Sequence, residues 1–367
     1  MHPAALEAMV AEMQRVQGNP TGAHRIARDA RRRLDDAREI IGDLTGSDPG
    51  GVIFTGGGTE ADNLAITGLV GPGAPAEGKL AVCPATEHHA VLHPVQAHGG
   101  RVVGVNPDGT VDLDALAQAL DAEVAVVSVM VANNESGVIQ PLEPVRALMD
   151  ERAPDAVLHT DAVQGAVWLD LAEAAAPADL LALSAHKFGG PMGVGALIVK
   201  HDTKLAPLLL GGGQERERRA GTQNVPGAVA MAAALAAYAR DRASENARLA
   251  AERDRLADGL LAAVPNTFES GDRAKKVPGS CHLCFDGIES EALLFLLERE
   301  GIYASAASSC SSGAQEPSHV LAAMGVSRER AQGSLRLSLG RATTSTDIDR
   351  ALAIIPPAVA HLREAGS

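Results

Sequence analysis

Two side chains in this sequence have the type and setting for covalent chemistry, Lys187 and Cys310. Lys187 stands in Ser184-Ala185-His186-Lys187-Phe188-Gly189-Gly190-Pro191, after an apolar run and before a Gly/Gly/Pro turn. That setting predicts a strand end facing a cleft, where apolar surroundings weaken the charged form and free the amine to condense with a carbonyl. Local context alone favours the ordinary alternative, a solvated surface lysine. Asp161 ends the preceding strand, in His159-Thr160-Asp161-Ala162-Val163-Gln164. An acid one strand from such a lysine can hold a pyridinium nitrogen protonated and make the ring an electron sink, with Gln164 donating to a ring hydroxyl. The plain reading of Asp161 is a cap on the next segment. Cys310 lies among small residues, Ser305-Ala306-Ala307-Ser308-Ser309-Cys310-Ser311-Ser312-Gly313-Ala314, with no apolar anchor to bury it. A thiol on such a loop can enter and leave a cleft, and its thiolate is a nucleophile.

A third signal is Thr55-Gly56-Gly57-Gly58-Thr59-Glu60-Ala61, glycines between a strand and a helix. Backbone N–H groups there, Gly58 and Thr59 included, can close on an anion at the positive helix end. Taken alone the loop reads equally well as a plain turn. It lacks the Gly-Lys-Ser/Thr ending of a phosphate-binding P-loop. It satisfies the looser Gly-x-Gly-x-x-Ala dinucleotide pattern, but the next strand ends in Cys83-Pro84-Ala85, without the acid that would hold a ribose. His88, His89 and His93 invite a metal reading, but adjacent residues 88 and 89 diverge on any regular element and no carboxylate or thiol completes a set, so no metal is expected. Cys281-His282-Leu283-Cys284 reads as strand, where positions three apart face opposite ways, so two packed core cysteines are expected rather than a redox or zinc pair.

The elements that must position these groups alternate. Strands are predicted at Gly51–Thr55, Leu80–Cys83, Arg101–Val105, Val124–Val131, Ala156–His159, Leu180–Leu183 and Val194–Val199, with helical segments between most of them. The unbroken apolar run at Val124–Val131 is that of a strand buried on both faces. A mostly parallel sheet covered by helices follows, hence an α/β fold. Near Pro226 an Ala-rich, charged stretch begins that predicts one or two long helices to Val264. Beyond it lie strands around Cys281–Phe285 and Ser334–Leu339 and helices at Glu289–Glu300 and Asp347–Arg363. The expected domains are 1–230, which would bind the cofactor, and a smaller α/β domain at 231–367 carrying the cysteine loop.

Composition narrows the class. The 367 residues are 46% hydrophobic and 21% charged, which is globular, but only 2% aromatic, and the net charge is −14. Few stacking platforms and a strongly acidic balance argue against nucleic acid. No run is long enough for a membrane helix and the start shows no secretory signal. Four cysteines are too few for a disulfide framework at this length, which suits a reducing cytoplasm.

The chain resembles the NifS/IscS-type cysteine desulfurases, pyridoxal 5'-phosphate (PLP) enzymes of the class V aminotransferase family and fold type I. The resemblance rests on the Phe54–Glu60 loop, Thr86-Glu87-His88-His89-Ala90-Val91, Asn133-Asn134-Glu135-Ser136-Gly137, Asp161–Gln164, Ser184–Lys187, Arg219-Ala220-Gly221-Thr222 and Ser334–Gly340, in family order. It implies that Lys187 carries PLP and that His88 stacks on its ring. Thr59, Ser184 and His186 would hold the phosphate, with Thr222 of the partner subunit in a homodimer. Asn134 and Arg336 would bind the substrate carboxylate. Without the resemblance, the alternation of Arg336 with Leu335, Leu337 and Leu339 makes it a surface residue. Cys310 matches the family's sulfur-accepting cysteine. The implied reaction moves sulfur from L-cysteine to Cys310, leaves L-alanine, and passes the sulfur to an acceptor protein, an iron–sulfur scaffold or a thiolation relay. His88 would handle the substrate thiol proton.

Alternatives within the fold are a selenocysteine lyase or a small-amino-acid transaminase. Outside that chemistry stand a dinucleotide oxidoreductase and a non-catalytic scaffold. One departure concerns the start. Family members carry a strand and an Ala/Thr-rich turn before the first helix, and this chain begins about where that segment ends. The expectation is lowered activity more than an altered fold.

Overall fold

The computed structural model describes residues 1–201, 203–306 and 318–366. Two compact units divide them: Met1–Val103, Asp112–Val131 and Gln140–Arg242 form the first, and Gly104–Val111, Ala132–Ile139 and Ala243–Ser367 the second. The stretch after Pro226 is one helix, Val225–Ala263, with residues in both.

The strands of the first unit are β1 (Val52–Thr55), β2 (Leu80–Pro84), β3 (Arg101–Val103), β4 (Val124–Ser128), β5 (Val157–Asp161), β6 (Leu180–Ser184) and β7 (Gly195–Val199). Among the described residues they make one sheet in the order β1-β7-β6-β5-β4-β2-β3. Every pairing is parallel except those of β7, which is antiparallel to β1 and β6. All residues of β1, β4, β6 and β7 are buried, which is why they read as unbroken apolar runs. The helix Gly58–Val70 buries Ala61, Leu64, Ala65, Ile66 and Leu69 in the core beneath the sheet.

The parallel strands end together on one edge, where open α/β sheets place their ligands. Thr55, Ser184 and Asp161 lie on it, and β7 starts there with Gly195 directly opposite both Thr55 and Ser184. A Cβ on Gly195 would sit 2.5 Å from the Gly57 carbonyl carbon and 2.6 Å from Leu183 O. Backbone cannot yield as a side chain does. Gly195→Ala is therefore expected to cost about 1–3 kcal/mol and to push the Gly56–Gly58 loop out of place. Denaturant midpoints and anion affinity check it; equal stability of both proteins would refute the packing argument.

The second unit has an antiparallel sheet, β10-β9-β8, of β8 (Thr267–Glu269), β9 (Ser280–Phe285) and β10 (Ser334–Ser338). β9 is buried along its whole length. Helices Ser290–Arg299 and Ser345–Gly366 belong to this unit. β8 was not expected; it is a three-residue edge strand with little apolar content.

Candidate active site

The glycine loop ends in the helix Gly58–Val70, whose N-terminus has no side-chain cap. Its first N–H groups thus remain turned to the strand-end edge, where a helix carries partial positive charge. Gly58 packs so tightly that a Cβ would fall 2.8 Å from Val163 Cγ2 and 3.2 Å from Ser184 Cβ. The loop therefore lies against the ends of β5 and β6. Glu60 locks it: Oε2 accepts from Gly56 N at 2.7 Å, while Arg219 donates from Nε to Oε1 at 2.8 Å and from Nη2 to Oε2 at 3.3 Å. This fastens the Arg219–Thr222 segment to the loop, with Thr222 and Thr59 both exposed.

Ser184, at the end of β6, is buried, and its Oγ lies 3.0 Å from His186 Nδ1. His186 and Lys187 sit in a short 3-10 turn, Ala185–Phe188, pinned by the fully buried Phe188. Lys187 is exposed. The apolar surroundings expected for its amine are not supplied by this packing, because the turn lifts it off the sheet. Its charge acts on Asp161. Burial, then the Lys187 charge, lowers His186 from its ordinary value.

Asp161 closes β5 and is almost wholly buried. Its Oδ1 accepts from Val163 N at 2.8 Å, so it does cap the next segment as well as face the site. Burial raises its carboxyl to about 6, against the pull of the Val163 N–H and Lys187. Gln164 is half-buried at the head of the following turn. His88 is exposed at the N-cap of helix His89–Ala97, where Nδ1 accepts from Ala90 N at 3.1 Å; the His89 and His93 rings stack on each other at 4.7 Å.

In the second unit, Arg336 on β10 donates from Nη1 to Asn134 O at 2.8 Å. Among the described residues, its Nε and the Asn134 Oδ1 are buried without hydrogen-bond partners. The surface position expected from alternation is corrected: the segment Ala132–Ile139 covers that face of β10, and Arg336 is half-buried. An arginine fork with a spare donor, beside an amide, suits a carboxylate. Ser305 pairs with Arg336 through two backbone bonds, and Ser318 Oγ donates to Glu135. Cys310 lies between these two anchors and outside the described residues.

The sequence matches the profile described as Aminotransferase class-V over residues 1–351. This chain belongs to the class V aminotransferase family. Among curated relatives, an IscS-like cysteine desulfurase of Mycobacterium tuberculosis is 46% identical over all of this chain and 95% of that protein. The cysteine desulfurase IscS of Methanosarcina thermophila is 40% identical over 98% and 89%. Among solved structures, a NifS-like protein superposes with a TM-score of 0.89 at 31% identity, over 99% of this chain and 97% of that one. A structure described as SspA in complex with cysteine gives 0.78 at 28%, over 92% and 95%. The fold is that of the type I PLP enzymes, as the resemblance implied.

The cofactor of this class V aminotransferase family member is PLP, and its residues fit the group. The uncapped helix start with Ser184 and His186 suits a phosphate, and the buried Asp161 suits a ring nitrogen beside the Lys187 amine. The sequence reading missed three buried polar residues behind Asp161: Asp62, Glu87 and His159. Asp62 follows the glycine loop, and Glu87 and His159 stand within motifs that gave them no role; only the closed sheet shows what they touch.

Proposed function

We infer that this chain is a PLP-dependent cysteine desulfurase that takes sulfur from L-cysteine onto Cys310 and releases L-alanine. The observation that carries the reading is the meeting of the Gly58 helix start, Ser184, Asp161 and Lys187 at one sheet edge, in a chain that matches 95% and 89% of two relatives bearing that name. When bound, PLP supplies the electron sink for a carbanion at the substrate Cα.

Arg336 and Asn134 hold the substrate carboxylate. Lys187 would hold the cofactor through its amine and would move the Cα proton. His88 would stack on the ring and would take the substrate thiol proton. Asp161 keeps the ring nitrogen protonated, and Gln164 donates to the ring hydroxyl. Thr59, Ser184 and His186 hold the phosphate, joined by Thr222 of the partner subunit in a homodimer. The Cys310 thiolate attacks the substrate sulfur; an S–S bond forms, the C–S bond breaks, and protonation of the carbon fragment ends in L-alanine. The persulfide then passes to an acceptor protein in the cytoplasm, an iron–sulfur scaffold or a thiolation relay. Among the described residues no helix is long and apolar enough to cross a membrane, in keeping with that setting.

The deciding experiment follows purified protein with L-cysteine and a thiol reductant. Sulfide and alanine are expected in equal amounts, from a yellow protein bleached by borohydride. Pyruvate and ammonia without alanine, or amino-group transfer without sulfide, would overturn the assignment in favour of a lyase or transaminase.

A further inference from the structure

Behind Asp161 the first unit buries ionisable groups to which the reaction assigns no task. Asp62 on the helix Gly58–Val70, Glu87 and His159 are 1%, 0% and 0% exposed. His159 stands two residues before Asp161 on β5, so both side chains leave the strand on one face. Its Nδ1 is 2.8 Å from Ser128 Oγ at the end of β4, and its Nε2 is 3.6 Å from Asp62 Oδ1. Neither Nε2 nor that Oδ1 has a hydrogen-bond partner, so each is the other's available neighbour after a shift of a few tenths of an ångström. The result is a buried row, Ser128–His159–Asp62, running across β4 and β5 into the helix that starts at the glycine loop.

The charge of this core is constrained. Burial pushes His159 down to about 3, so the imidazole is neutral, with one N–H and one lone pair. Asp62 then has no cation beside it: among the described residues its ion-pair neighbour is that same neutral ring. Asp161 and Glu87 both act on it as further acids, and Glu87, buried against Met130 N, is itself pushed up by its burial. Cys83 on β2, buried and beside Glu87, adds no positive charge. Among the described residues the cation that acts on this group is Lys187, and it acts on Asp161. Several buried carboxyls close together cannot all ionise, and the one nearest the cation keeps the charge.

We propose that Asp62 stays protonated in the folded protein and, with neutral His159, serves as a positioning residue that reserves the negative charge of this core for Asp161. The use made of that charge, holding a protonated ring nitrogen, rests on the proposed function; the protonation of Asp62 does not. Its hydroxyl hydrogen faces His159 Nε2 across 3.6 Å, and His159 Nδ1–H faces Ser128, so a small closure satisfies the row without any charge. An ionised Asp62 would instead compete with Asp161 for the same proton and blunt its hold on the cofactor.

The test starts with cofactor-free protein labelled with carbon-13 in its aspartate side-chain carboxyls. One resonance is expected at the protonated-acid position at neutral pH, and it should vanish in Asp62→Asn. Absence of such a resonance in the unmodified protein overturns the proposal, whatever the variants do. The second arm is PLP affinity, with the pH profile of the bound cofactor's absorbance. Asp62→Leu, which strands His159 Nε2, should weaken binding about tenfold. Asp62→Asn, neutral and of the same shape, should restore affinity to within about threefold and leave the absorbance profile in place. An asparagine variant as weak as the leucine one would show that the acid works as an anion and sink the idea. A protein that shows the resonance but binds no PLP would refute the proposed function and leave the protonation standing.

Discussion

Lys187→Ala is expected to give a colourless or weakly coloured protein whose turnover of L-cysteine falls on the order of 10⁴-fold, the range for loss of a positioned proton-transfer group. The loss has two sources. On the proposed function, the variant would lack both the amine that holds PLP covalently and the group that moves the Cα proton. Lys187 is carried by a turn anchored on Phe188 and faces the charge of Asp161, whereas Lys200, the nearest lysine in sequence, spends its amine on Ala175 O at 2.9 Å. Borohydride reduction followed by peptide mass mapping checks the assignment in the unmodified protein. Cofactor fixed to Lys200, Lys204 or any other lysine would end it.

Cys310→Ser should leave colour, cofactor affinity and L-cysteine binding intact while removing sulfur transfer. A neutral hydroxyl is a far poorer nucleophile than a thiolate near neutral pH, so the rate of sulfide and alanine formation should drop by at least about 10²-fold. The other cysteines cannot substitute. Cys83, Cys281 and Cys284 are buried, and burial pushes each thiol up, Cys281 to about 12, which leaves them protonated. Cys284 is further held against Ser270 Oγ at 3.6 Å. Serine substitutions at 281 and 284 should therefore lower stability and spare turnover. Mass spectrometry placing the added sulfur on any of those three, or wild-type turnover by Cys310→Ser, would dismantle the mechanism.

The parts of this molecule legible from sequence are those where one element decides the environment. β4 and β6 announce themselves because a strand buried on both faces must be apolar throughout. Asp161, Ser184 and Lys187 could be placed because strand ends follow from where such runs stop. The reversal of β7 was also within reach: the link Ala185–Val194 is too short for a crossover helix, so the next strand must return antiparallel. Alternation alone would put Arg336 at the surface, because what covers it, Asn134 and its neighbours, lies far away in the chain. Lys187 was expected to be desolvated and is not, since a single turn past the strand suffices to lift it clear. Asp62 and His159 drew no notice in the sequence, because their burial exists only once helix and sheet have closed on each other.

The place of β1 at the end of the sheet has a consequence for how the chain is made. β1 pairs with β7 and with no other strand, in the register Val52↔Ile198. As the chain leaves the ribosome, Val-Ile-Phe-Thr emerges early, while its partner is not synthesised until nearly the whole first unit has appeared. The other strands can meet partners sooner, since β2 finds β3 and β4 soon after. For that interval β1 is an unpaired, mostly apolar segment of the kind that seeds aggregation. Slow translation before Gly195 should lengthen its exposure, and arrested chains ending before β7 should bind chaperones and resist refolding on dilution. Chains ending just past Val199 should not. The glycine loop follows β1 directly, so the phosphate end of the site is completed only when that last strand slides into place.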